Sequence, residues 1–153
     1  MIKVGAITIG QAPRIDVTVD TAPILEDNIE IIEAGALDNL TIGEIKALEP
    51  QENDTILVSR LKEGGFAVLS ERLLMPKLQN AVDRLEKQGV ALIMMMCTGE
   101  FSTVLESNVP LVYPSRILNG VVPAVASRGK IIVVVPDISQ KEQNLQRWSD
   151  HAK

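Results

Sequence analysis

The fold is decided by an uncharged apolar stretch, VALIMMM, at residues 90–96. Two further stretches rich in β-branched residues are IKVGAITI at residues 2–9 and IIVVV at residues 131–135. Runs of this length, separated by segments with helical periodicity, are typical of strands buried on both faces of a parallel sheet. IEIIEA at residues 29–34 predicts a fourth strand. We therefore expect an α/β protein with a largely parallel sheet.

Leucine and alanine spacing predicts one long helix. Apolar residues at positions 74, 78, 81 or 82, and 85 recur at helical spacing. Because proline is tolerated in the first turn of a helix, Pro76 predicts a start near Leu74, and Gly89 predicts the end. The apolar segment 115–127 also suits a helix, which Gly120 and Pro123 should kink or split.

Helix caps and a turn signal define the remaining elements. Thr41 with Glu44 predicts a capped helix over residues 41–48, and Ser139 with Glu142 repeats the pattern. The second of these helices should carry Leu145 and Trp148 on its apolar side. Residues 55–61 and 66–70 alternate around the turn KEGG, which predicts a β-hairpin.

Composition limits the kinds of partner. The 153 residues suit one hydrophobic core, and the single cysteine, which allows no internal disulfide, fits the reducing cytoplasm. A net charge of −5 with scattered basic residues is unfavourable for nucleic-acid binding. No stretch is apolar enough for a membrane span, and no leader precedes the first strand. A small anion remains compatible, because it needs only one or two local cations and backbone N–H groups.

The loop after the first strand, TIGQAPRID at residues 8–16, is a candidate ligand site. Ligands of parallel sheets bind beyond the carboxyl ends of the strands. Gly10 would let a ligand approach the backbone, while Thr8, Gln11 and Arg14 would supply hydrogen bonds. The loop lacks the spacing of a phosphate-binding or dinucleotide-binding motif. A solvated polar turn explains the same residues equally well.

The loop after the most apolar strand, MCTGEF at residues 96–101, is the second candidate. If Cys97 faced a helix N-terminus, its pKa would fall and a thiolate would become available. Thr98 and Gly99 would add a hydroxyl and backbone donors. The alternative is that Cys97 is a small buried core residue packed with the neighbouring methionines.

Other polar residues offer weaker alternatives. His151 lies near the end of a helix that is expected to be exposed, and no metal-binding cluster is visible. Arg60 and Arg116 are possible anion contacts, and Arg116 follows Pro114 at a helix start. A surface or core-edge role fits both arginines better.

Three motifs in the same order resemble the AroM family. They are TIGQAPRID at residues 8–16, EAGALD at 33–38 and CTGEF at 97–101. Pro76 and Pro114 fall in the same order, and the resemblance covers nearly the whole chain. This family is similar in turn to the aspartate/glutamate/hydantoin racemase superfamily, whose members bind their ligand between two flavodoxin-like halves.

The racemase resemblance implies a fold, a division of the chain and a site. It implies a flavodoxin-like sheet flanked by helices over residues 1–128, with a hairpin insertion, and the start of a second, truncated half over residues 129–153. Cys97 and Thr98 match the first cysteine motif of the superfamily. The resemblance also implies a reaction that uses neither a metal nor an organic cofactor. The opening loop, from Thr8 to Gln11, matches the segment with which the superfamily binds the substrate carboxylate. The second cysteine of the superfamily has no counterpart here, which points to truncation and to pairing of two chains.

Three functional hypotheses follow from these residues. The first is a cysteine-dependent isomerase or lyase acting on a small carboxylate. A racemase needs a base on each face of the carbon, whereas a one-thiol enzyme needs only a proton donor. The second is a ligand-binding or regulatory protein that keeps the cleft without the chemistry. The third is a structural or interaction module.

Overall fold

The structure is a computed structural model that describes residues 1–101, 103–126 and 130–149. Its main sheet contains β1 (Ile2–Thr8), β2 (Ile29–Gly35), β5 (Leu92–Met95) and β6 (Leu111–Val112). All neighbouring strands are parallel and their order is β2-β1-β5-β6. A separate antiparallel hairpin contains β3 (Ile56–Arg60) and β4 (Phe66–Ser70). The α/β, flavodoxin-like class and the hairpin are thereby confirmed; the short edge strand β6 was not predicted.

Five α-helices are described around the strands. They are α1 (Ile15–Thr21), α2 (Ile42–Lys46), α3 (Glu71–Lys87), α4 (Pro114–Val125) and α5 (Lys141–Ser149). The Thr41–Glu44 capping box at α2 is present as predicted. Helix α3 packs against β1, β2 and β4. Its predicted apolar face is fully buried, and each such leucine contributes roughly 1.5–3 kcal/mol of hydrophobic stabilisation.

The predicted start of α3 is wrong by three residues. The helix begins directly after β4, where the Ser70 hydroxyl accepts a hydrogen bond from the Leu73 N–H at 3.3 Å. Pro76 therefore lies inside the helix, where it removes one backbone hydrogen bond. Burial of Leu74, Met75 and Leu78 on both sides of the proline offsets that loss. Of the predicted kink or split at Gly120 and Pro123, the split is wrong, because α4 is continuous over residues 114–125, and the kink stays a prediction.

The predicted strand over residues 131–135 is wrong. These residues pair with none of the described strands, and the side chains of Ile132 and Val134 are each 90% exposed. Apolar β-branched composition favours a strand only where a neighbouring backbone is available for pairing. His151 lies outside the described residues, so its predicted exposure is not addressed.

Ser139 does not cap α5 as predicted, because α5 begins at Lys141, after a 3-10 turn over residues 138–140. Asp137 caps the preceding 3-10 turn by accepting from the Ser139 N–H at 2.9 Å. Leu145 is exposed, so the expected apolar side is wrong at that position. Polar side chains attach this region to the hairpin instead: the Gln143 amide donates to the Ile56 carbonyl at 2.8 Å and accepts from the Ile56 N–H at 3.2 Å.

Candidate functional site

The carboxyl ends of β1, β5 and β6 lie side by side. Ile7 pairs with Met95, and Met94 pairs with Val112. Strand β5 leads into the Cys97 loop, and β6 is followed by Tyr113 and the start of α4 at Pro114. Since neighbouring strands are about 4.8 Å apart, the residues after the three strands form one edge.

A cleft of about 1320 Å³ opens at this edge of the sheet. Its wall includes Arg14, Cys97, Thr98 and Gly99 from the two loops that the sequence singled out. The wall also includes residues of α1, β3 and α4, residues 131–136 and one face of α5. The tertiary structure thus brings Arg14 and the Cys97 loop together around one space.

The other predicted residues of the opening loop lie outside the cleft wall and hold the loop in place. The buried Thr8 hydroxyl accepts from the Gly10 N–H at 3.2 Å and from the Arg14 guanidinium at 3.4 Å. Gln11 accepts from the Lys62 N–H at 2.9 Å. A side chain at Gly10 would overlap the Ser59 hydroxyl. The lack of a side chain at this position therefore lets the hairpin, and not a ligand, approach the backbone. Thr8 therefore acts on the cleft through Arg14, whereas Gly10 and Gln11 hold the loop against the hairpin.

Arg14 reaches the cleft as half of an ion pair. Its guanidinium donates to both Asp16 carboxylate oxygens, at 2.8 Å each. The hydrogen bond from Arg14 lowers the pKa of Asp16, and the same bond raises the pKa of Arg14. The charge of Arg14 is consequently compensated within the protein.

Two carboxylates that were not predicted anchor the backbone of the opening loop. Asp38 accepts from the Ala12 N–H at 2.8 Å and the Gly35 N–H at 2.7 Å, and Glu33 accepts from the Arg14 N–H at 2.6 Å. Both belong to the motif EAGALD, which entered the sequence analysis only as a mark of family resemblance. Acidic side chains in and just after the strand predicted over residues 29–34 were the available signal.

Cys97 is half-buried in the cleft wall, and its sulfur accepts from the Gly99 N–H at 3.4 Å. Burial raises the pKa of the thiol; the Gly99 N–H and the charges of Arg14 and Arg147 oppose that effect without cancelling it. The expectation of a lowered pKa is therefore wrong. The expectation assumed a helix N-terminus facing Cys97. Strand β5 instead leads into a loop, and the helix at this edge, α4, follows β6.

Arg147 fastens the Cys97 loop, and sequence reasoning missed it. Its side chain, 11% exposed, donates to the Thr98 carbonyl at 2.8 Å and the Asn119 side chain at 2.9 Å. It also lies 3.3 Å from a Glu100 carboxylate oxygen. One guanidinium thus joins α5, α4 and the loop, and a lone arginine late in the sequence carries no pattern that would reveal this.

Among the described residues, no group of three or more His, Cys, Asp or Glu side chains is placed to hold a metal ion. None of the helices in that same portion is long and apolar enough to cross a membrane.

Comparison with known proteins gives one match. No curated protein and no solved structure matches the chain. The family model described as AroM protein matches residues 4–153, nearly the whole length, in agreement with the three motifs that line or support the cleft. The chain belongs to the AroM family.

Proposed function

We propose that the cleft binds a small carboxylate-bearing molecule and that Cys97 moves a proton on it, as in a racemase-like isomerase or a one-cysteine lyase. The observation that carries this proposal is the position of the Cys97 thiol. It lies in the cleft wall, at the edge of a parallel sheet where ligands bind, within the electrostatic influence of Arg14 and Arg147.

The raised pKa of Cys97 suits one direction of proton transfer. At neutral pH the group is a protonated thiol, and thus an acid. When a C–COO⁻ bond next to a carbonyl breaks heterolytically, carbon dioxide leaves and the electron pair of the bond stays on carbon. When a C–H bond breaks there, a base on the opposite face, the Cys97 thiolate of a second copy, takes the proton and the electron pair again stays on carbon. The S–H proton then passes to that carbon and leaves a thiolate, which the Gly99 N–H and two guanidinium charges stabilise. Solvent returns the proton.

Two-sided racemisation requires a further acid or base. Cys97 is the single cysteine of this sequence, so a second thiol would come from another copy of the chain. We propose a homodimer on this ground, and the exposed side chains of Ile132 and Val134 support an interaction surface near the cleft. Residues 129–153 would then act as the beginning of a second half. The solution mass, measured by light scattering, tests the dimer.

Proton exchange in D2O tests the chemistry. L-Alanine, L-aspartate and L-lactate would be incubated with the protein, and loss of the α-proton signal followed by NMR. We expect exchange with at least one compound, and a decrease of 100-fold or more in Cys97→Ala, since positioned acid–base groups contribute roughly 10²–10⁴-fold. Equal exchange in Cys97→Ala would contradict a role for the thiol.

A binding protein without chemistry is the second candidate, and the raised pKa of Cys97 favours it, because such a thiol is a poor nucleophile and base. In that case a small carboxylate raises the melting temperature, since only a ligand of the folded state can do so, while no α-proton exchanges. Iodoacetamide would react slowly with Cys97 below pH 9 under either candidate, so alkylation alone does not separate them.

A further inference from the structure

We infer that the ligand carboxylate is held at the start of α4, by Ser115 and Arg116, and not by the loop after β1. This inference rests on the proposed function and names the anion subsite within the same cleft. Both residues line the same cleft as the Cys97 loop, in the first turn of the helix that follows β6, the neighbour of β5.

The opening loop offers a ligand little unpaired charge. Both Asp16 oxygens are bound to Arg14, whose third contact is the Thr8 hydroxyl. A carboxylate arriving there would have to displace Asp16 from a bidentate pair, which is among the stronger ionic contacts in proteins.

Ser115 presents donors that have no partner among the described residues. Its side chain is buried, with 4% exposure, and its hydroxyl makes no hydrogen bond to that part of the chain. The Ser115 N–H lies in the first turn of α4, where backbone donors have no intrahelical partner and are open to a ligand. Buried polar side chains are normally satisfied, so an unpaired hydroxyl on a residue that is 4% exposed and lines a cleft indicates a ligand.

Arg116 supplies a cation that no described carboxylate compensates. Its guanidinium lies 4.4 Å from the centre of the Tyr113 ring. Tyr113 is a firm support, because it is 6% exposed and its hydroxyl accepts from the Leu105 N–H at 3.1 Å. The positive end of the α4 dipole adds to the attraction for an anion.

Arg60 and Ser59 on the hairpin are the competing pair in the cleft wall. Arg60 also makes no ion pair with a described residue, but its charge acts on Asp16, whose pKa it lowers. The Ser59 hydroxyl is buried without a partner, yet it faces the Gly10 backbone. Neither residue lies at a helix N-terminus, so Arg60→Met provides a matched loss of one cleft arginine.

Titration of the ¹⁵N-labelled protein with succinate tests the subsite, with uncharged succinamide as the comparison. We expect succinate to shift the backbone amide signals of Ser115 and Arg116, and succinamide not to do so. Because hydrogen bonds to charged groups are the stronger class, we expect Kd to rise by about 10-fold or more in Arg116→Met and in Ser115→Ala. Arg60→Met should change Kd less than about twofold, because it leaves every donor of the subsite in place.

Three results would overturn the subsite. They are no amide shift at residues 115 and 116, equal shifts with succinamide, or a larger effect of Arg60→Met than of Arg116→Met. Ser115→Ala removes a single oxygen, so it remains informative if Arg116→Met folds poorly. If Arg116→Met still exchanges the α-proton with an unchanged KM, the proposed function stands and this subsite is contradicted. If succinate binding depends on Arg116 but the wild type exchanges no α-proton, the subsite stands and the proposed proton transfer is contradicted.

Discussion

The two loops that meet at the cleft differ in how their polar groups are used. In the opening loop, backbone N–H groups at positions 12 and 14 are bound by Asp38 and Glu33, and Arg14 is bound by Asp16. At the Cys97 loop and the adjacent start of α4, the thiol and the Ser115 donors face the cleft with few partners. The polar groups of the first region are bound to one another, whereas those of the second have few partners within the protein.

The largest expected effect on stability comes from a substitution in the closely packed backbone beside the opening loop. A Cβ at Gly35 would overlap the Gly10 carbonyl oxygen and lie 2.7 Å from both the Ala12 nitrogen and the Asp38 carboxylate. Backbone atoms cannot move aside as a flexible side chain can, so Gly35→Ala should cost about 3 kcal/mol or more in the free energy of unfolding. Urea denaturation measures this.

Gly120→Ala is the control for that substitution. Gly120 lies within α4 and an added Cβ would meet nothing within 4 Å. Alanine should therefore stabilise the protein by roughly 0.5–1 kcal/mol. Similar effects of the two substitutions would contradict the tight packing assigned to the opening loop.

Removal of Arg147 should have an intermediate effect. Arg147→Met loses the hydrogen bonds to the Thr98 carbonyl and Asn119, both made by a nearly buried guanidinium. We expect a decrease of about 2 kcal/mol in unfolding free energy, because hydrogen bonds of charged groups contribute roughly 1.5–3 kcal/mol. Faster hydrogen exchange at Thr98 and Gly99 should accompany it.

Arg72→Met is the comparison for Arg147. Arg72 pairs with Asp54; the Arg72 side chain is 59% exposed and the Asp54 side chain 9% exposed. Because the Arg72 guanidinium is largely in solvent and the Gln51 N–H still binds Asp54 at 3.0 Å, this substitution should have the smaller effect. The reverse order would show that Arg147 does not fasten the Cys97 loop.

The smallest expected effect concerns Asp16. Its pKa in the folded state lies below the ordinary 3.8 because Arg14 stabilises the carboxylate. The resulting stabilisation is present above pH 3.8 and is lost as the pH falls through the lower folded-state value. Since Asp16 is 41% exposed, Asp16→Asn should cost less than about 1 kcal/mol at pH 7.

Melting curves at pH 7 and in acid test the Asp16 prediction. The difference between wild type and Asp16→Asn should shrink as the pH falls below 3.8. Asp20→Asn, on the same short helix, changes a carboxylate that makes no ion pair to a described residue and should have no such effect. A difference that persists unchanged in acid would mean that the ion pair does not stabilise the fold.

The sequence predicted the elements whose signals are local. β1, β2, β5 and the hairpin followed from composition and turn residues, and α2 followed from its capping box. Segment 131–135 failed as a strand because pairing depends on a neighbour that composition does not reveal. At the site, four predicted residues line the cleft, while Thr8, Gly10 and Gln11 support it from behind.

The order of residues alone therefore determined the parallel α/β architecture and the AroM membership, because apolar periodicity and short motifs are properties of contiguous segments. Only the tertiary structure decided which polar groups are already bound to one another. Asp16, Asp38 and Arg147 act across the fold on distant parts of the chain or remove a charge from the cleft. Burial in the folded protein raises the pKa of Cys97, and contacts between distant residues, such as Arg147 with the Thr98 carbonyl, fix its loop. No local pattern in the sequence records either effect.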